Sequence, residues 1–156
     1  MDGAGWASIA DVLRHANVDR ATLEQVVAEN DKGRLEVSEN RIRACQGHSL
    51  AGTPVTAEAL EASWERITRT EPLFHGTGRD VLDAILREGL RPMDRTHVHL
   101  AGGRTDKVGK RHGVQALVPV CPVRLAAVGV GLFRSPNGVF LVRFVPPGCL
   151  LPVEAA

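Results

Sequence analysis

The sequence predicts an α+β protein, with its helices gathered toward the N-terminus and short, mostly antiparallel strands filling the rest. Three observations carry this reading. Apolar residues recur at helical spacing in two windows before Asp31. A turn at Ser38-Glu39-Asn40 then separates two short runs that read as a hairpin. After Pro72 the apolar residues come in short runs punctuated by glycine and proline.

Taken in order, Ile9, Val12, Leu13 and Ala16 follow Ser8, whose hydroxyl is placed to cap the first turn. A second helix is predicted from Thr22, with Gln25 as its capping-box partner and Leu23, Val26 and Val27 as its buried face. Asp31-Lys32-Gly33 turns the chain, and Arg34–Val37 and Arg41–Ala44 form the hairpin. Two helices and a hairpin are parts of a winged helix, short of the helix that normally comes first. Residues 51–58 read as a linker running into a helix with Leu60, Trp64 and Ile67 on one stripe. Leu73–His75 is a short strand, and Val81, Leu82, Ile85 and Leu86 mark a helix closed by Gly89 and Pro92. His97–Leu100, Ala116–Val120 and Val139–Val145 supply further strands, the last ended by Pro146-Pro147. The organisation is a partial winged-helix lobe over 1–52, a linker and helix over 53–70, and a β-rich lobe over 71–156.

At 156 residues the chain can build one ordinary domain or two small lobes. Its hydrophobic fraction of 44% and charged fraction of 24% are those of a soluble globular protein. No stretch approaches the roughly 20 apolar residues that span a bilayer. The opening Met-Asp-Gly-Ala-Gly-Trp lacks the regions of a signal peptide, so cytoplasmic residence is the expectation. Cys45, Cys121 and Cys149 are odd in number and contain no C-x-x-C pair, against a disulfide framework or zinc ribbon. Net charge is +1, which is no strongly basic nucleic-acid signature, yet residues 1–50 sum to −2 and residues 71–156 to +4. That bias suits a bound polyphosphate in the C-terminal part.

Several short motifs could carry chemistry. His75-Gly76-Thr77 ends a strand with an imidazole, and the glycine lets a ligand approach the backbone. His97-Val98-His99 alternates, placing both imidazoles on one side. H-x-H is also a metal pair, but no H-E-x-x-H accompanies it and no metal is expected. Gln46-Gly47-His48-Ser49 gathers an amide, an imidazole and a hydroxyl around one glycine. Lys107-Val108-Gly109-Lys110-Arg111-His112-Gly113 sets cations between glycines, suited to diphosphate. Ser135-Pro136-Asn137-Gly138 is a turn by composition. Each alone has a bland reading: a satisfied histidine, a polar turn, a solvated charge run.

Their order is more specific. Gly5-Trp6, Asn30-Asp31-Lys32-Gly33-Arg34, Ile42-Arg43-Ala44 with Gln46-Gly47-His48-Ser49, and His75-Gly76-Thr77 come first. Gly89-Leu90, Arg95 with His97-Val98-His99-Leu100, Val108-Gly109 with Arg111, Asn137-Gly138-Val139 and Val145-Pro146-Pro147 follow. From Trp6 to Pro147 this resembles the RNA 2′-phosphotransferase family. The resemblance implies a winged-helix lobe joined to a lobe of the ADP-ribosyltransferase fold, with NAD as cofactor and RNA bearing an internal 2′-phosphate as partner. The resemblance further implies that the phosphate moves to NAD, giving 2′-hydroxyl RNA, nicotinamide and ADP-ribose 1″,2″-cyclic phosphate, with no metal. Separately, a monomer with no membrane partner is expected.

Carried over by residue, Arg34 and Arg95 match the catalytic arginines that contact the RNA phosphate, with Lys32, Gln46, His48 and Ser49 beside them. His75, Gly76, Thr77, His99, Leu100, Gly109, Arg111, Asn137, Gly138 and Val139 match the NAD site. The family also carries an Arg-His pair in a helix ahead of the Gly-Trp position. Here Gly5-Trp6 lies near the start, and Arg14-His15 repeats the dipeptide only after it. That helix is therefore expected to be absent, with NAD binding kept and full phosphate removal impaired. Two other readings stay open: ADP-ribosyl transfer to a terminal phosphate of RNA or DNA, and a non-catalytic nucleic-acid-binding module.

Overall fold

The computed structural model describes residues 1–106 and 113–156. Gly109 and Arg111, with the rest of the 107–112 run, lie outside the described residues.

The chain begins with strand β1 (Ala7–Ser8), helix α1 (Ile9–Ala16) and helix α2 (Arg20–Glu29). Ser8 caps α1 as its sequence suggests, its hydroxyl accepting from the Asp11 amide. The start of α2 differs from the expectation. Asp19 is the cap, accepting from the Thr22 amide at 2.8 Å, and Gln25 bonds Glu29 rather than closing a capping box. A carboxylate is the stronger acceptor for a helix N-terminus, so the helix begins before Thr22. On α2, Leu23 and Val27 are half-buried while Val26 is exposed.

Strands β2 (Leu35–Ser38) and β3 (Arg41–Ala44) form the expected hairpin, with Glu39 at φ 54° in its turn. Strand β1 adds on the far side of β3, giving an antiparallel sheet of order β1-β3-β2. Helix α3 (Ala57–Ser63) is capped by Thr56 and is shorter than its stripe implies. It stops because the Trp64 indole donates to the Cys45 carbonyl at 2.9 Å, which pulls the chain into extended geometry. Glu65–Arg66 then runs as β4, so Ile67 lies beyond the helix.

The remaining elements are β5 (Leu73–Thr77), a 3₁₀ turn (Arg79–Val81), α4 (Leu82–Glu88), β6 (Val98–Leu100), β7 (Ala116–Val120), α5 (Pro122–Ala127), β8 (Phe133–Arg134), β9 (Phe140–Val142) and β10 (Glu154–Ala155). Gly89 closes α4 at φ 85°, where an added Cβ would collide with the Val145 carbonyl oxygen. The strand expected over 139–145 keeps regular pairing only across β9; Val145 instead pairs with Leu90. Two antiparallel sheets result, β10-β7-β5 and β4-β8-β9-β6. A bridge between Phe74 and Ala101 joins them through paired amide–carbonyl bonds of 3.0 and 2.8 Å.

The main core lies over this junction and includes Leu73, Leu100, Val120, Leu125, Val142 and Val145, all enclosed. Each such side chain contributes about 1.5–3 kcal/mol by leaving water. A second cluster under α3 collects Val55, Leu60, Trp64, Phe133, Val139 and Leu141. The result holds β3, α3 and β6 in fixed relation, and the candidate site is built on their ends.

Candidate functional site

His48, Ser49, Arg95 and His99 meet around Gly47, where the chain leaves β3. Gly47 has φ 88°, and its carbonyl accepts a hydrogen bond from Arg95 Nη1. The Thr96 amide donates to the His48 carbonyl at 3.2 Å, and Ser49 pairs with Arg95 as an isolated antiparallel bridge. A Cβ on Gly47 would stand 3.5 Å from His99 Cε1, so this backbone runs directly over the His99 ring. The positive φ, more than the space, calls for glycine here.

His48 turns the other way and packs on Gly5, where an added Cβ would collide with its Nε2. Burial lowers its pKa below the ordinary imidazole value, and the nearby charges of Arg43 and Arg95 lower it further. The ring is neutral at neutral pH. Among the described residues, His48 Nδ1 and Gln46 Oε1 are buried without a hydrogen-bond partner.

Arg34 stands on a turn fixed from both sides. The Asn30 side chain accepts from the Arg34 amide at 2.9 Å, and the Cys45 amide donates to the Arg34 carbonyl at 2.8 Å. Opposite, Asn137 Nδ2 donates to the Lys32 carbonyl at 2.9 Å while its Oδ1 accepts from the Ser135 hydroxyl at 2.7 Å. The Arg34 guanidinium is exposed and makes no hydrogen bond or ion pair among the described residues. Asn137 and Gly138 also border an open cavity of about 550 Å³, with Ser63, Trp64, Arg134 and Ser135.

His75 Nδ1 lies 3.1 Å from the His99 carbonyl oxygen. A carbonyl only accepts, so Nδ1 carries a proton and donates. Gly76 and Thr77 continue β5 in register with Leu117 and Ala116. Leu100 and Val139 are core residues, both almost fully enclosed, and neither offers a surface to a ligand. His97 and His99 do not form a pair in their contacts: His97 is buried against Trp64 and Glu61, whereas His99 lies beside Gly47. Arg14 and His15 sit in the last turn of α1, with Arg14 ion-paired to Asp11.

Three residues of structural weight were not predicted. Arg43 is buried; it donates to Glu36 at 2.8 Å, Ser63 at 2.7 Å and the Ala4 carbonyl at 3.2 Å, and stacks 4.5 Å from the Trp6 ring. Glu61 and Arg143 form a second cluster with His97. In the sequence Glu61 reads with Glu58 as a solvated helix face, because its partners Arg143 and His97 come from distant segments. Among the described residues no group of three or more His, Cys, Asp or Glu could hold a metal ion. No described helix is long and apolar enough to cross a membrane.

Residues 1–143 match the model of the family described as RNA 2′-phosphotransferase, Tpt1 / KptA family. The chain belongs to that family. Its relatives include a protein of Agrobacterium fabrum named "Probable RNA 2′-phosphotransferase", 41% identical over 155 residues, covering 94% of this chain and 79% of the relative. A protein of the same name from Burkholderia lata is 41% identical over 155 residues, covering 94% and 76%. Another from Acaryochloris marina is 33% identical over 163 residues, covering 99% and 86%. In this member of the Tpt1 / KptA family, the matched span contains Arg34, the Gln46–Ser49 crossing, His75, Arg95, His99 and Asn137.

Proposed function

We propose that the chain is an NAD-dependent RNA 2′-phosphotransferase, which removes a 2′-phosphate from RNA and leaves a 2′-hydroxyl. The observation that carries this is the Gln46–Ser49 crossing. There Arg95 bonds the Gly47 carbonyl beside His99, and the flanking Gln46 and His48 each carry a buried, unpartnered polar atom, next to the cysteine that anchors the Arg34 turn. Buried polar atoms without partners are rare in folded proteins, and here they suit a polar ligand. In this reading residues 1–52 serve as a partial winged-helix lobe for RNA and residues 71–156 as an ADP-ribosyltransferase-like lobe for NAD. The helices and three-stranded sheet of the first part, and the two joined antiparallel sheets of the second, support that division.

Part of the donor set suits NAD. Asn137 and Gly138 border a cavity of about 550 Å³, within the range of small-molecule sites, whose lining also includes Glu65 but not His75, Thr77 or His99. Gly138, at φ 84°, has open space where a Cβ would stand, so a ligand can approach its backbone. When bound, NAD supplies a ribose carbon already activated toward displacement by the positive charge of its nicotinamide ring. The chain's own residues have less to do than in a hydrolase. A phosphate oxygen is anionic at neutral pH, so its attack on that carbon requires no general base. In the closure of the cyclic phosphate that follows, the proton lost by the ribose 2″-hydroxyl balances the one taken up by the departing RNA 2′-oxygen. Arg34 and Arg95 hold the phosphate and offset its charge, with the planar, permanently charged fork that phosphate recognition favours. Neutral His48 adds hydrogen-bonding capacity without a further cation. His75 is held in the middle of β5 by donation from its Nδ1 to the His99 carbonyl.

The test is incubation with NAD and a short RNA bearing one internal 2′-phosphate, with products resolved by mass. RNA with a 2′-hydroxyl and ADP-ribose 1″,2″-cyclic phosphate is the expected pair. Accumulated ADP-ribosylated RNA would mean that the first step occurs without the second and would replace this reading with ADP-ribosyl transfer to phosphate. An RNA mass unchanged by NAD would overturn it.

A further inference from the structure

A polar network outside these contacts, centred on the buried His97, joins α3 to both arginine-bearing segments. The Glu61 carboxylate accepts from His97 Nε2 at 3.0 Å. On its other side it accepts from Arg143 through Nε at 2.6 Å and Nη2 at 2.8 Å. His97 is 1% exposed and packs edge-on against Trp64, with ring centroids 4.9 Å apart. Its Nδ1 lies 2.9 Å from the Thr96 hydroxyl. An ionised carboxylate only accepts, so Nε2 carries the proton and Nδ1 accepts from Thr96; the two bonds fix one tautomer. Thr96 and His97 follow Arg95 directly. From the same helix end, Ser63 accepts from Arg43 and Trp64 donates to Cys45, which holds the hairpin and its Arg34 turn.

We propose that Glu61 and His97 are positioning residues for Arg95, and that α3 is the strut that sets Arg95 relative to Arg34. This rests on the function proposed above. Neither residue touches the phosphate. They act by fixing the backbone from which Arg95 reaches Gly47, and phosphate transfer is sensitive to such placement. An ion pair with one exposed partner is a weak source of net stability, and Arg143 is exposed, so what this network contributes is geometry at the end of a helix that bridges two site segments.

The test uses the full chain and compares Glu61→Ala with Glu61→Gln. The glutamine keeps an acceptor for His97; the alanine does not. With saturating NAD and 2′-phosphorylated RNA, well below each variant's melting temperature, Glu61→Ala is expected to lower kcat by roughly 10- to 100-fold, the scale of a misplaced reacting group. KM for NAD should hold within about twofold, and Glu61→Gln should recover most of kcat, since it restores the bond that positions. A merely structural role would lower the melting temperature without this split. Peptide-resolved hydrogen exchange supplies a readout that needs no activity: Glu61→Ala should speed exchange over residues 93–100 and leave β7 unchanged. Thr96→Val removes the second bond to His97 without emptying space, and serves where Glu61→Ala does not fold. Wild-type kcat in Glu61→Ala, equal impairment in Glu61→Gln, or unchanged exchange over 93–100 would each overturn the proposal. A wild-type chain that leaves the RNA phosphate in place counts against the proposed reaction, and the exchange data then still decide whether the network holds the Arg95 segment.

Discussion

Arg34→Ala removes a guanidinium that is exposed and makes no hydrogen bond or ion pair among the described residues, so no folded-state contact is lost. The bonds that do hold this position belong to the backbone, to Asn30 and Cys45, and alanine keeps both. Stability should therefore change by no more than about 0.5 kcal/mol, as for other surface sites. At roughly 2–4 °C per kcal/mol for a chain of this size, the melting temperature moves by about 2 °C at most. The rate should respond very differently, because one preorganised donor to a charged transition state is worth about 2.7–4 kcal/mol, or 10²–10³ in rate. Arg34→Lys keeps the charge but not the two-pronged geometry and should fall between. Arg95→Ala loses rate as well, but also the bond to Gly47. A hydrogen bond from a charged donor contributes about 1.5–3 kcal/mol, which at the same conversion is roughly 3–12 °C. The assay is kcat/KM on 2′-phosphorylated RNA beside a thermal melt for each variant. Arg34→Ala with kcat/KM within threefold of wild type would remove it from the site. A melting temperature lowered by more than about 5 °C would instead give its side chain a structural role.

Gly89→Ala puts a Cβ against the Val145 carbonyl at φ 85° and strains the paired Leu90–Val145 bonds of 2.9 and 3.0 Å. The glycine-only conformation costs about 1–3 kcal/mol and each lost bond about 1, so urea unfolding should show a loss of about 3–5 kcal/mol; a loss under about 1 contradicts the clash. Arg43→Ala leaves Glu36 and Ser63 without their partner. It should cost about 2–4 kcal/mol by the same measurement, less than a fully buried pair because Glu36 is 30% exposed. On acidification the buried imidazoles of His48 and His97 resist protonation, chiefly through burial, so the unfolded chain binds protons more readily. Their contribution is complete above about pH 6.5 and shrinks as pH falls below it. The melting temperature should drop between about pH 7.5 and 5, and a constant or rising value would refute the neutral assignments.

How much of this was legible depends on how local the cause is. The hairpin and the Ser8 cap could be read because turn residues and capping hydroxyls act within a few positions. The start of α2 was misread because Thr22 with Gln25 imitates a capping box, while Asp19 three residues earlier is the stronger acceptor. Helix α5 was not anticipated: six residues opening on Pro122 carry too little periodicity, and proline at the first turn resembles a breaker. Strands β4, β8 and β10, two residues each, are products of pairing register and leave no pattern. At the site, the residue list followed from resemblance, but its assembly did not. Nothing local announces that Arg95 bonds Gly47, or that Asn137 reaches Lys32. The Glu58-Glu61 pair looks like a solvated helix face until Arg143 and His97 arrive from elsewhere in the chain.

The Asn137–Lys32 bond spans 105 positions, and Arg95–Gly47 spans 48. A nascent chain therefore has no assembled pocket until Asn137 has cleared the ribosome, however early the hairpin forms. Long-range closures of this kind are late, entropy-limited events in folding. They make catalytic competence a report on the completed tertiary structure, so early domains released by a stalled ribosome would carry the Arg34 turn and yet be inert.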